Sequence, residues 1–325
     1  MTNSPKILSR VLTLEIARVT EAAAIAAARL RGHGDEKSAD QAAVDAMRSE
    51  LNKLPIQGRV VIGEGERDEA PMLYIGEEVG QGEGTKVDIA VDPLEGTTLC
   101  AKAQHNSLAV LALAEQGSLL NSPDIYMDKI AIGPGFEPGL VSLEATPSEN
   151  IKALAAAKGV SPQDITACVL DRPRHAKLIE DIRGIGAGIR LIGDGDIAGV
   201  IHTTSPEETG IDIYMGIGGS PEGVLAAAAL RCIGGQMQGR LHPMKEEDTK
   251  RAHDFGIEDI NHIYDMEYLA KGDVLFAATG VTDGSMLSGV KFKRKSIMTD
   301  TVVMRSATKT VRWIKTEHMA KKFAQ

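Results

Sequence analysis

The sequence predicts an α/β protein built as two subdomains, and three observations carry that prediction. After residue 144, apolar runs of strand length alternate with helical patterns, in the manner of a doubly wound layer. Before that point, two helical stretches precede strands joined by loops, an α+β arrangement. Between the two regimes Gly133-Pro134-Gly135 and Glu137-Pro138-Gly139 cluster, setting the expected boundary between residues 1–140 and 141–325.

Residues 13–30 carry Leu14, Ile16, Val19, Ala23, Ala26 and Leu30 at helical spacing, with Gly32 and Gly34 as the stop. Ser38-x-x-Gln41 fits a capping box opening a second helix to Leu54, with Asp40 in its first turn. Residues 59–62 and 87–91 read as strands, each running into carboxylates. Residues 107–114 read as another strand, with 129–132 as its partner. Beyond the boundary come helix 148–158, strand 166–170, helix 175–183, strand 189–192, helix 197–202, strand 211–215 and helix 221–232. Residues 274–277 and 301–314 read as further strands.

The bulk numbers narrow the function. Aromatics make up only 3% and the net charge is −9, which argues against nucleic-acid binding. No apolar run is long enough to span a membrane, and the first ten residues lack a secretory h-region. Cys100, Cys168 and Cys232 are widely spaced and form no zinc or disulfide pattern, so free thiols in a cytoplasmic protein are expected.

Asp92-Pro93-Leu94-Glu95-Gly96-Thr97 is the most informative stretch. Two carboxylates at a strand's end can hold hard divalent cations, and the free N–H groups of a following helix can face a phosphate. Gly63-Glu64-Gly65-Glu66 alone reads as an acidic surface turn. It gains meaning because adjacent parallel strands would bring Glu64 and Asp92 together, with Asp40 and Glu222 able to complete an oxygen-rich cage. Arg172-Pro173-Arg174 suits a phosphate or a solvated basic turn. Asp194-Gly195-Asp196 suits sugar hydroxyls or a plain turn with an N-cap. Gly216-Ile217-Gly218-Gly219-Ser220-Pro221 imitates a dinucleotide fingerprint, but Pro221 and Glu222 argue against a pyrophosphate there.

The first hexapeptide resembles the Asp-Pro-x-Asp/Glu-Gly-Thr signature of lithium-sensitive, metal-dependent phosphatases. Together with residues 61–66, 68–76 and 216–223, it resembles the class II fructose-1,6-bisphosphatases, whose members include dual fructose-1,6-/sedoheptulose-1,7-bisphosphatases. The resemblance implies a layered α/β/α/β/α sandwich, Mg²⁺ or Mn²⁺ as cofactor, and a homodimer or homotetramer. It implies Asp40, Glu64, Asp92, Glu95 and Glu222 as metal ligands. It implies Glu95, Gly96, Thr97, Tyr126, Arg172, Pro173, Arg174, Asp194, Gly195, Asp196 and Gly219 as substrate contacts. Thr97, Glu64 and Asp92 are the expected catalytic groups. The expected reaction is removal of the 1-phosphate of fructose 1,6-bisphosphate, in gluconeogenesis or the Calvin cycle. An inositol-type monophosphatase and a non-catalytic sugar-phosphate sensor are the remaining alternatives.

Overall fold

The computed structural model describes residues 8–65 and 72–319. Glu66 and residues 68–71, quoted above, lie outside the described residues. The chain forms two compact units: Met1–Leu119 with Gly272–Gln325, and Leu120–Lys271.

The first unit opens with α1 (Leu12–Ala28), whose small side chains let it bury nearly its whole circumference. Helix α2 (Glu36–Leu51) lays Ala39, Ala43, Val44, Met47 and Leu51 on one stripe. Its cap is Asp35, whose side chain accepts from Ser38 N at 3.0 Å, and not the expected Ser38-Gln41 box. Asp40 therefore lies in the second turn, one turn deeper than expected. Strand β1 (Ile56–Ile62), the short β2 (Glu78–Val79), β3 (Thr85–Glu95), the one-turn α3 (Thr97–Ala101) and β4 (Leu108–Glu115) follow.

The second unit holds β5 (Tyr126–Ile132), α4 (Pro147–Lys158), β6 (Thr166–Leu170), α5 (Ala176–Gly184), β7 (Gly188–Ile192), α6 (Asp196–His202), α7 (Pro206–Thr209), β8 (Ile213–Gly219), α8 (Ser220–Ile233), β9 (Gln236–Leu241), α9 (Glu246–Asp254), β10 (Tyr264–Asp265) and α10 (Met266–Leu269). Its sheet runs β10-β9-β5-β8-β6-β7. Only β6–β7 and β6–β8 are parallel, so the sheet is mixed where a doubly wound layer was expected. Strand β5, expected to pair with β4, instead lies between β8 and β9.

The chain then returns to the first unit as β11 (Val274–Gly280), β12 (Lys291–Phe292), β13 (Ser296–Arg305) and β14 (Thr310–Met319). Strand β11 is buried at every position and separates β4 from β13 in the order β12-β13-β11-β4-β3-β1-β2, with β14 on β13. The sequence boundary at 140 thus differs from the observed units at both ends. The first unit stops at Leu119 and recovers its remaining strands after residue 271. Two mixed sheets with helices packed on them bear out the α/β class. Each unit has its own apolar core, one built around α1, α2, β1 and β3, the other around β6, α4 and α5. Among the described residues no helix is long and apolar enough to cross a membrane.

Candidate active site

In the first unit, strand β3 does not end before the motif; it runs through it. Pairing with β4 is regular to Asp92–Val110 and resumes at Glu95–Leu108. Three steps on β3 face two on β4, which is a β-bulge. Pro93 sits inside the bulge, where a missing N–H costs no ladder bond. The expected loop is therefore a bulged strand that re-aims Asp92 and Glu95. Gly96, left-handed at φ 75°, then turns the chain into α3, whose first residue is Thr97.

Strand β1 runs parallel to β3, and Ile62 is opposite Ala90. Glu64 and Asp92 each follow two residues later in sequence, Glu64 past the end of β1 and Asp92 still within β3. Asp40, from α2, meets Glu64 in a carboxyl–carboxyl hydrogen bond. Burial lifts the Asp40 carboxyl above its usual range, and the bond to Glu64 works in the opposite direction. Two carboxyls in contact repel when both are ionised, and a cation relieves that repulsion. All the donors are hard oxygens, matching Mg²⁺ or Mn²⁺ in kind. Among the described residues, no three His, Cys, Asp or Glu side chains stand together at metal-binding spacing.

In the second unit, a cavity of about 490 Å³ gathers Tyr126, Arg172, Arg174, Asp194, Asp196, Gly219 and Glu222. The Arg174 guanidinium donates to the Ile217 carbonyl from Nε (3.0 Å) and Nη2 (2.7 Å), and lies 4.6 Å from the Tyr126 ring centroid. Arg172 Nη2 approaches Asp194 Oδ1 at 3.7 Å. Pro173 opens the short helical turn that carries Arg174, with Arg172 just before it, and Gly195, left-handed, precedes Asp196 at the start of α6.

Beneath the cavity lies Lys129, which the sequence reading did not select. Its side chain is 1% exposed, and its ammonium donates to Asp196 and, at 2.7 Å, to the Gly219 carbonyl. The signal was there: a lysine alternating with Met127 and Ala131 on the buried face of a strand. Glu222 is partly exposed as a residue, yet its Oε2 is buried without a hydrogen-bond partner among the described residues. Burial, reinforced by the charge of Asp196 and opposed by Lys129, pushes its pKa up to about 7. The glycines of the false fingerprint now have a reason. A Cβ at residue 218 would come within 2.0 Å of Asp196 Oδ2, and one at 219 within 1.9 Å of Glu222 Oε2. Met244, Lys245, Asp248 and Arg251 also line the cavity.

Carboxylates grouped at strand ends and an arginine-lined cavity are the equipment of a phosphate-ester hydrolase. The family model for the bacterial, glpX-encoded fructose-1,6-bisphosphatase matches residues 10–318. The "D-fructose 1,6-bisphosphatase class 2/sedoheptulose 1,7-bisphosphatase" of Synechococcus sp. (strain JA-3-3Ab) is 48% identical over 95% of each chain. Its namesake from Prochlorococcus marinus (strain NATL1A) is 47% identical over 96% of this chain and 97% of its own. Among solved structures, the extragenic suppressor protein SuhB of Bartonella henselae is similar over 59% of this chain and 73% of its own, at 16% identity and a TM-score of 0.34. The chain belongs to the class II, glpX-encoded fructose-1,6-bisphosphatase family and is a phosphoric monoester hydrolase. That family is generally metal-dependent.

Proposed function

We propose that the chain hydrolyses the 1-phosphate of fructose 1,6-bisphosphate, giving fructose 6-phosphate and phosphate. The family match over residues 10–318 is the observation that carries this reading. Asp40, Glu64, Asp92, Glu95 and Glu222 would hold Mg²⁺ or Mn²⁺, which when bound neutralises phosphoryl charge and acidifies a water. The N–H groups of Gly96 and Thr97 donate to phosphoryl oxygens. Helix α3 has only five residues, so these act as local hydrogen bonds with little help from a helix dipole. The Thr97 hydroxyl orients the attacking water, and Glu64 or Asp92 accepts its proton. Arg172, Arg174 and Tyr126 anchor the distal phosphate, so binding energy remote from the reaction positions the reacting ester. Asp194 and Asp196 accept from sugar hydroxyls, while Pro173, Gly195 and Gly219 shape the backbone around them.

Phosphate release from fructose 1,6-bisphosphate should cease on exhaustive chelation and return with Mg²⁺ or Mn²⁺. Activity that survives chelation would remove the metal from the reaction. Thr97→Ala should lower kcat about 100-fold with KM little changed; near-normal turnover would exclude the hydroxyl.

A second reading, dual activity toward sedoheptulose 1,7-bisphosphate, is favoured by the names of the cyanobacterial relatives at 47–48% identity. Paired assays on the two bisphosphates decide it. Monophosphate turnover retained in Arg174→Ala would favour an inositol-type enzyme instead. We further propose a cytoplasmic homodimer or homotetramer, in keeping with three free, buried cysteines; light scattering reads the subunit count.

A further inference from the structure

Strands β6 and β8 pair only at Ala167–Ile213 and Cys168–Tyr214. Beyond Tyr214 they share no ladder, and the imidazole of His175 spans the gap. His175 Nδ1 lies 2.7 Å from the Leu170 carbonyl at the end of β6, and Nε2 lies 2.8 Å from the Ile217 amide on β8. A carbonyl needs a donor, so Nδ1 carries the proton. An amide needs an acceptor, so Nε2 does not. One neutral tautomer satisfies both partners. The ring is 1% exposed, and burial lowers its pKa, which favours that neutral form.

The Ile217 backbone is thus held on one side by consecutive residues: His175 accepts from its N–H, and Arg174 donates two bonds to its C=O. Across β5, Ile217 is opposite Asp128, and its own N–H and C=O turn away from that strand. A second cavity of about 220 Å³ is lined by Gly216, Ile217, His175 and Arg174, and Arg174 lines the 490 Å³ cavity as well. Arg174 thus stands between the two. Gly216, at φ 146°, makes room for the ring: a Cβ there would come within 3.1 Å of Nε2.

We propose that His175 is a positioning residue for the anion clamp, its doubly bonded imidazole fixing the backbone of Ile217, the residue on whose carbonyl the Arg174 guanidinium is seated. This rests on the reading of Arg174 as an anchor for the distal phosphate. Glutamine at 175 offers an acceptor near the Nε2 position; asparagine offers a donor near Nδ1 and leaves the Ile217 N–H without a partner.

Steady-state kinetics on fructose 1,6-bisphosphate should therefore separate the two variants. His175→Asn should raise KM about tenfold with kcat changed less than about twofold, while His175→Gln stays within about threefold of the parent KM. Equal KM values in all three proteins, or a matching fall in kcat for both variants, would overturn the proposal. If the parent protein leaves the bisphosphate intact, the functional reading fails, and the clamp is read by calorimetric titration of the full chain with inorganic phosphate. There His175→Asn and Arg174→Ala should weaken binding together while His175→Gln retains it. Phosphate affinity unchanged in His175→Asn would sink the proposal independently of turnover.

Discussion

A methyl group at residue 219 would fall 1.9 Å from Glu222 Oε2, against the carboxylate of that side chain. Gly219→Ala should displace that carboxylate and lower kcat/KM at least about tenfold at fixed metal concentration, with part of the loss recovered at higher Mn²⁺. Unchanged activity would mean that Glu222 tolerates movement and has no place in the metal set. His202 gives a second residue-scale test, of stability. It is 7% exposed, and burial followed by the charge of Arg190 pushes its pKa down to about 4 from 6.5. The folded value lies below the unfolded one, so the unfolded chain takes up the proton first as pH falls. The contribution of the neutral imidazole is fully present above about pH 6.5 and is lost progressively toward pH 4. It amounts to at most about 3 kcal/mol at the unit conversion of 1.36 kcal/mol per pKa unit. His202→Gln should flatten the stability–pH slope within that window, as read by urea midpoints from pH 4 to 7. A slope identical to the parent's would show that other groups set it.

At the scale of elements, the cap of α2 shows how a correct helix can carry a wrong start. Ser38-x-x-Gln41 satisfies the pattern of a capping box, but Ser38 is already helical and donates its N–H and hydroxyl to Asp35. Gln41 instead reaches Asp45 one turn on, at 2.8 Å on an exposed face. Asp35→Ala should therefore lower the urea midpoint, and Gln41→Ala should leave it within error. The reverse ranking would restore the box. The same competition explains β3. Residues 87–91 are legible as a strand because they are apolar and β-branched. Pro93 looks like its end, since a proline removes a ladder donor. A bulge needs no donor at that position, so the strand continues to Glu95. The carboxylates Glu64 and Asp92 were legible from local pattern, because each follows an apolar run. The buried position of Lys129 was legible from the alternation of its strand, but its role, like that of His175, was not. Their roles depend on partners 42 to 90 positions away, such as Ile217 for His175 and Gly219 for Lys129.

At the scale of the whole molecule, connectivity sets what can stand alone. The second unit is one continuous segment, Leu120–Lys271, with a six-stranded sheet and its own apolar core. The first unit is interrupted, and among the described residues four of its eight strands, β11 to β14, arrive only after the second unit is complete. Sequence reading could not see this. Strand pairing is non-local, and β11 pairs with β4 across more than 150 residues of intervening chain, as in Val274 opposite Ala114. A boundary drawn at a Gly-Pro cluster therefore assigned the final strands to the wrong neighbour. Without β11, strand β4 loses one side of its ladder, and both Leu275 and Ala277 leave the first core. Truncation after residue 271 should accordingly abolish cooperative unfolding of the first unit while residues 120–271 keep a sigmoidal transition of their own. Hydrogen exchange followed by peptide mass spectrometry reads both halves in one sample: protection in β5, β6 and β8 should persist, and protection in β1, β3 and β4 should be lost. Retained protection in β3 and β4 would show that the N-terminal helices and strands form a self-sufficient core, and that β11 completes the sheet without being needed to hold it.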